Sequence, residues 1–302
     1  MSELEFAFFN LMENDKRGLV YQKYLLDRLA PFFFAPRVTR LIDLPVINAR
    51  GYHVVMPLGQ GNLDKMEPER QTQMLFKSIE VTRDFNLPAL AVDRRLKSRF
   101  ALSEAALQVV FGDHFIKALA AAYIKRSLSR HDIKRIVVAT DNEDLIDFME
   151  YASQFDVPVS LQSYQPARYE PAAYQMMYQN GRIVSTSMFN PQSWSKGDLV
   201  VVFDPQDRFT AISPRDVFCL QLGNSSRNLA PLLERSLESD GVEAELHNLA
   251  PIMELCLGTH CQRQDGGAPP HDCRNVQPAA FISLEESARL LGLWDLFLDK
   301  AK

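Results

Sequence analysis

The 302-residue sequence lacks several features that would place it in a specialised class. Its four cysteines are too few for the disulfide framework of a small secreted domain. No apolar run approaches the ~20 residues that a membrane span needs, and the acidic start is unlike a signal peptide. The net charge of -5 lacks the basic excess of a nucleic-acid binder. We therefore expect a reduced, cytoplasmic protein without membrane or nucleic-acid partners, and a homo-oligomer is left open.

The segment 131–162 carries the clearest structural pattern. Ile136–Ala139 is a short apolar run with β-branched residues, which is typical of a strand buried on both faces. Asp141 and Asn142 then supply helix-capping side chains. Apolar residues follow at helical spacing over 145–152, and a two-residue alternation over 157–161 indicates a second strand. The segment thus predicts a strand–helix–strand unit with two parallel strands.

The remaining patterns predict an α/β protein of two domains. We predict helices over 1–38, 66–85, 114–128, 225–238 and 283–298, and strands over 40–47, 50–58, 87–92, 182–188, 198–204, 216–223 and 243–249. The last helix starts with a capping box, Ser283 and Glu286. We expect an N-terminal α/β domain (1–112) and a Rossmann-like domain with a doubly wound, mainly parallel sheet (113–255). Residues 256–302 would form a Cys/His-containing loop and a helix, 283–298, that braces the first domain.

Three short stretches resemble a known family. They are Gly51–Leu58 (GYHVVMPL), Val109–Phe115 (VVFGDHF) and Lys134–Ala152. In position and pattern they are similar to the acyl-carrier-protein (fatty aldehyde-forming) reductases and the related predicted amino acid dehydrogenases. The resemblance covers most of residues 40–255. It implies a two-domain reductase with an NAD(P)-binding second domain.

The chain departs from that family at its dinucleotide turn. The glycine-rich turn that the family uses is replaced by Ala139–Leu145, ATDNEDL. Glycine lets the backbone approach a diphosphate, whereas here three carboxylates occupy the turn, and two like charges ~4 Å apart near a surface repel by ~4 kcal/mol. NAD(P) is therefore disfavoured, although the resemblance implies it. The reductase's cysteine nucleophile also has no counterpart in 87–100 or at Pro251.

Acidic residues follow two of the predicted strands. Asp141 and Asp204 each end a strand, and in a doubly wound sheet such ends can face each other. Clustered carboxylates bind Mg²⁺, so this pair predicts a metal site of the kind found in hydrolases and nucleases. Helix capping and the helix dipole account for the same acidic residues at 141–144 without a metal.

The best candidate for an anion site is a polar segment after the strand 216–223. It comprises Gly223, Asn224, Ser225, Ser226 and Arg227. If a helix begins there, free backbone amides, hydroxyls and a guanidinium converge, which suits a phosphate or carboxylate. An ordinary helix cap has the same composition. Thr140, in the turn, and Arg168, placed to recognise a 2′-phosphate, complete the candidate cofactor-binding set.

A third candidate is a group of Cys and His residues near the C-terminus. Its members are Cys256, His260, Cys261, His271 and Cys273. Thiolates and imidazoles at this density can hold Zn²⁺, although the C-x-x-C spacing of a strong zinc motif is absent. Scattered loop residues are the alternative interpretation.

These observations lead to three functional hypotheses. The first is a degenerate relative of the NAD(P)-dependent reductases that binds an anionic small molecule in the interdomain cleft. The second is a metal-dependent hydrolase or nuclease that uses Asp141 and Asp204. The third is a Zn-stabilised regulatory or interaction protein that uses the Cys/His group. The sequence names no catalytic residue.

Overall fold

The computed structural model describes residues 4–18, 21–85, 87, 89–99, 107–204, 208–209, 216–264 and 280–298. The strands are β1 (Phe6–Leu11), β2 (Arg37–Leu44), β3 (Ala49–Met56), β4 (Ala89–Val92), β5 (Gln108–Val110), β6 (Arg135–Thr140), β7 (Val159–Ser163), β8 (Val184–Met188), β9 (Asp198–Phe203) and β10 (Phe218–Gln221). The helices are α1 (Lys23–Phe33), α2 (Gln60–Asp64), α3 (Pro68–Asp84), α4 (Asp113–Arg130), α5 (Ile146–Ala152), α6 (Glu170–Asn180), α7 (Pro231–Ser239), α8 (Leu246–Gln264), α9 (Ala280–Leu290) and α10 (Trp294–Leu298). The protein is thus α/β, as predicted. None of the described helices combines the length and the apolar character needed to cross a membrane.

The chain forms two compact units, and each uses two separate stretches of sequence. Unit 1 comprises Met1–Phe115 and Ala230–Val276, and unit 2 comprises Ile116–Leu229 and Gln277–Lys302. The last described helices, α9 and α10, therefore belong to unit 2, and the bracing of the first domain by residues 283–298 stays a prediction. Helix α8 belongs to unit 1.

Unit 1 is built on a five-stranded sheet in the order β2-β3-β1-β4-β5. Strand β2 is antiparallel to β3, and the other neighbours are parallel. All six residues of the central strand β1 are buried, because a strand with neighbours on both sides and packed layers on both faces excludes water. Its core includes Phe9, Val54 and Leu90.

Unit 2 is built on a fully parallel sheet in the order β10-β9-β6-β7-β8. Counted within the unit, this is the 3-2-1-4-5 strand order of Rossmann-type domains. The apolar runs of β6 and β9 are buried almost throughout. On one face Phe148 of α5 packs between Phe203 and Phe281, so α9 completes the core of this unit. The Rossmann-like, mainly parallel sheet was therefore predicted correctly.

Two predicted elements were wrong, and a third begins later than predicted. Residues 1–38 are not one helical region, because β1 precedes α1. The predicted strand over 243–249 overlaps the start of α8 at Leu246, and the predicted helix over 225–238 begins only at Pro231.

The predicted capping box is also wrong. Helix α9 begins at Ala280, so Ser283 is an internal residue. Its first turn carries Phe281, which is 1% exposed and belongs to the packed face of the helix.

Candidate functional site

The candidate site of unit 2 lies where the strand order of its sheet reverses. From β6 the chain continues to β7 and β8 on one side, and then returns to β9 and β10 on the other side of β6. The connections that leave the carboxyl ends of β6 and β9 therefore diverge, and in open α/β sheets this is where ligands bind. Thr140–Leu145 follows β6 and Asp204 follows β9, so this edge contains the predicted acidic residues.

The turn after β6 uses its own side chains to satisfy its backbone. The backbone N of Asn142 donates to Thr140 Oγ1 at 2.9 Å, and the backbone N of Asp144 donates to Asn142 Oδ1 at 3.1 Å. Asn142 is the N-cap of a 3₁₀ turn over Glu143–Leu145, and Thr140 is completely buried. In a glycine-rich turn such amides are offered to a diphosphate, whereas here two of them already have acceptors within the turn.

Asp141 joins the ends of β6 and β7. Its Oδ1 accepts a hydrogen bond from Ser163 Oγ at 2.5 Å and another from the backbone N of Tyr164 at 2.9 Å. Ser163 Oγ in turn accepts from the backbone N of Gln165. The carboxylate therefore holds two strand ends together, which is a different role from the helix cap that the sequence suggested.

Arg168 lies beyond the end of β7 and pairs with the same acidic turn. Its guanidinium is 3.6 Å from Glu143, and both side chains are more than half exposed, so the ion pair contributes little stability. Burial raises the pKa of the neighbouring Tyr169 to about 12, and Asp141 and Glu143 add to the rise. The phenol of Tyr169 therefore stays neutral and adds no charge to the acidic turn.

Asp204, at the end of β9, is buried and accepts a hydrogen bond from the backbone N of Phe209. Asp141 and Asp204 thus each bind a partner on a different segment. Among the described residues, the ligand-type side chains that lie together are Glu243, Glu245 and His247, and neither aspartate is in that group.

The predicted anion segment follows β10 at the same edge of the sheet. Leu222 donates from its backbone to Val202 O of β9 at 2.8 Å, which places Gly223 beside the end of β9. The segment forms a turn, since Gly223 N donates to Ser226 Oγ at 3.0 Å and this hydroxyl donates to Gln221 O at 3.2 Å. No helix begins at Ser225, which differs from the prediction. The side chain of Arg227 is exposed.

The predicted Cys/His group is described only in part. Cys256 is buried in α8, and burial raises the pKa of its thiol well above the usual range. His260 and Cys261 lie on the last turns of α8, and their side chains lie outside the described residues, as do His271 and Cys273 altogether. Zinc binding by this group therefore stays a prediction.

A polar cluster around two buried residues of unit 1, Asp93 and His247, escaped the sequence analysis. It consists of Asp93, Arg95, Glu243, Glu245 and His247, and His247 is completely buried. The Glu-x-Glu-x-His spacing was the available signal. A strand over 243–249 would place the side chains of Glu243, Glu245 and His247 on one side, but the prediction gave them no buried partner.

Comparison with known proteins finds similarity at the level of fold only. No protein family and no curated protein matches the sequence. Among solved structures, L-tryptophan dehydrogenase from Nostoc punctiforme aligns over 98% of this chain and 81% of its own, at 11% identity and a TM-score of 0.43. Quinate dehydrogenase from Corynebacterium glutamicum in complex with NAD aligns over 95% and 100%, at 9% identity and 0.39. Shikimate 5-dehydrogenase from Thermus thermophilus in complex with NADP(H) and shikimate aligns over 96% and 100%, at 14% identity and 0.36.

Proposed function

We propose that this chain is a degenerate relative of the NAD(P)-dependent reductases and that unit 2 binds a small anionic molecule at the carboxyl ends of β9 and β10. The diphosphate of a nicotinamide dinucleotide would not enter the turn after β6. The observation that carries the proposal is the state of that turn, where side chains satisfy the backbone amides of Asn142 and Asp144.

Charge supports the same conclusion. Asp141, Glu143 and Asp144 lie within four residues of one another, and Arg168 contacts Glu143 with an exposed guanidinium. A diphosphate placed there would approach several carboxylates, and each pair of like charges at ~4 Å near the surface costs ~4 kcal/mol. The Gly223–Arg227 segment differs, because it is polar, carries an exposed arginine and has no acidic residue of its own, and the adjacent Asp204 is buried and already accepts from the backbone of Phe209. This segment is therefore the better place for an anion.

The proposal is tested by thermal-shift and calorimetric titration of the full chain with NADH, NADPH, inorganic phosphate and malonate. We expect NADH and NADPH to produce no response at millimolar concentration. At least one of the small anions should stabilise the protein, and a concentration of 100 times Kd corresponds to about 2.7 kcal/mol. Binding of either dinucleotide below about 100 μM would refute the exclusion of the diphosphate.

The variant Arg227→Ala locates the anion. It should lose most of the response to phosphate or malonate, because it removes the guanidinium of the segment. The matched control is Arg130→Ala, since Arg130 is also exposed but ends α4, which precedes the amino end of β6. Equal responses of the two variants would show that the anion binds elsewhere.

A further inference from the structure

The buried imidazole of His247 lies among three carboxylates at the carboxyl edge of the sheet in unit 1. His247 is in the first turn of α8, and its side chain is 1% exposed. Asp93 directly follows β4, and its side chain is 2% exposed. Glu243 and Glu245 precede α8 and are 23% and 18% exposed. Because the side chains of His247 and Asp93 have almost no contact with water, the surrounding core holds them in place.

The carboxylates occupy both sides of the imidazole ring. Nε2 of His247 is 3.6 Å from Glu243 Oε2 and 4.0 Å from Asp93 Oδ2. Nδ1 of His247 is 3.4 Å from Glu245 Oε2. This is the arrangement of a metal-binding histidine, in which one ring nitrogen binds the ion and a carboxylate orients the ring through the other nitrogen.

The distances fit a shared ion better than direct hydrogen bonds. An N–H···O bond has a donor–acceptor distance of roughly 2.7–3.2 Å; the contact at Nδ1, 3.4 Å, is slightly longer than this range, and the contacts at Nε2, 3.6 and 4.0 Å, are clearly longer. Two ligands that each lie ~2.1 Å from a tetrahedral metal ion are ~3.4 Å apart. The separation of Nε2 from Glu243 is close to this value, whereas Asp93, at 4.0 Å from Nε2, lies beyond it and also pairs with Arg95.

The charges around the cluster also favour a cation. Arg95 binds Asp93 through Nε and Nη2, with Nη2 2.8 Å from Asp93 Oδ2, and Nη2 is 3.9 Å from Glu243. Asp93 and Glu243 thus approach the guanidinium, and Glu245 approaches the imidazole of His247, so the cluster holds three carboxylates and one arginine. A divalent ion would balance the remaining two negative charges, and a metal ion binds histidine through the neutral imidazole.

We propose that His247 Nε2, Glu243 and Asp93 bind a divalent transition-metal ion and that Glu245 orients the imidazole. A set of one nitrogen and two carboxylate oxygens suits Zn²⁺ or Mn²⁺. Three protein ligands leave a coordination position open for water or a substrate oxygen. The site lies in unit 1 and does not depend on the function proposed for unit 2.

Mn²⁺ is the first probe, because the separate Cys/His group would bind it weakly. The full chain is stripped of metal with a chelator and titrated with MnCl₂, and free Mn²⁺ is followed by electron paramagnetic resonance. We expect one equivalent to bind, and the charge-removing variant Glu243→Gln should weaken binding at least 10-fold. Glu245→Gln should weaken binding by about 10–100-fold, as expected for a residue that orients a ligand.

Two histidine variants serve as controls for the location of the metal. His131→Ala, which removes an exposed histidine of unit 2, should bind as much Mn²⁺ as the parent protein, whereas His247→Gln should lose it. Circular dichroism checks that the His247 variant folds, and Glu243→Gln provides the test if it does not. The proposal is overturned if the parent protein binds less than about a tenth of an equivalent of both Mn²⁺ and Zn²⁺ at 100 μM. It is also overturned if Glu243→Gln binds Mn²⁺ unchanged.

Discussion

Glu254 is a buried carboxyl group in α8, and we expect its ionisation to reduce the stability of unit 1 as the pH rises. Its Oε2 accepts hydrogen bonds from the backbone N of His114 at 2.8 Å and of Phe115 at 3.1 Å, at the start of α4. Burial raises the pKa of Glu254 from its ordinary 4.5 to about 7, and Asp113 adds to the rise. The two backbone hydrogen bonds and Arg94 oppose it. The carboxyl group therefore remains protonated in the folded chain under conditions in which the unfolded chain has released its proton.

The sign and the size of the effect on stability follow from the difference in the pKa of Glu254 between the folded and the unfolded chain. Below pH 4.5 both states are protonated, and between pH 4.5 and about 7 only the folded state holds the proton. The free energy of unfolding therefore falls across this range, and above it the full penalty applies. At about 1.4 kcal/mol per unit of pKa, the contribution of Glu254 is about 3 kcal/mol.

The test compares the parent protein with Glu254→Gln by urea unfolding between pH 4.5 and 8. Glutamine keeps a side-chain acceptor for the α4 amides but cannot ionise, so the variant should gain about 3 kcal/mol relative to the parent as the pH rises. Trp194 and Trp294 both lie in unit 2, so their fluorescence reports on that unit, and far-UV circular dichroism reports on both. Glu69→Gln, at an exposed position of α3, controls for the loss of one negative charge. A difference between parent and variant that is constant with pH, or that changes in the opposite direction, would refute the reasoning.

Three further substitutions test other parts of the structure. Gly112→Ala should destabilise unit 1 by about 3 kcal/mol, because φ is +81° and the added Cβ would lie 2.6 Å from backbone atoms of α8; Gly181→Ala, at φ +64° with no neighbour within 4 Å, should cost only about 1 kcal/mol by thermal denaturation. Arg135→Leu should destabilise unit 2 by about 3 kcal/mol, since it leaves the buried carboxylate of Asp198 without its guanidinium, and a cost below about 1 kcal/mol would contradict this role. Phe281→Ala should cost about 3–5 kcal/mol and lower the tryptophan-detected midpoint of unit 2; an effect confined to unit 1 would contradict the packing of Phe281 against Phe148.

The sequence predicted unit 2 well where the residue pattern of a segment agrees with its burial in the sheet. The apolar run of β6 and the alternation near β7 follow directly from burial in a parallel sheet, and the polar residues between them mark the turn. Fold class and the acidic turn could therefore be read from the chain. The partner of Asp141 could not, because Ser163 is 22 residues away and only the sheet register brings the two together.

The errors arise where a pattern satisfies two interpretations. Residues Phe6–Leu11 are apolar except for Asn10, which fits a buried strand or a buried helix equally, and the pairing of β1 with β3 and β4 decides the matter. Residues 242–246 alternate between buried and partly exposed positions, which resembles a strand. Helix α8 starts within this alternation, and sequence spacing alone could not locate the boundary.

The distribution of each unit over two stretches of sequence has a consequence for biosynthesis. The sheet of unit 1 is complete at β5, yet helix α8 of the same unit is made more than 130 residues later. In unit 2, Phe281 of α9 is made after the last strand, β10. Neither unit can reach its final packing on the ribosome until α8 or α9 has left the exit tunnel. The nascent chain therefore exposes an apolar face of each sheet until the helix that covers it has been made, and such faces are prone to aggregate.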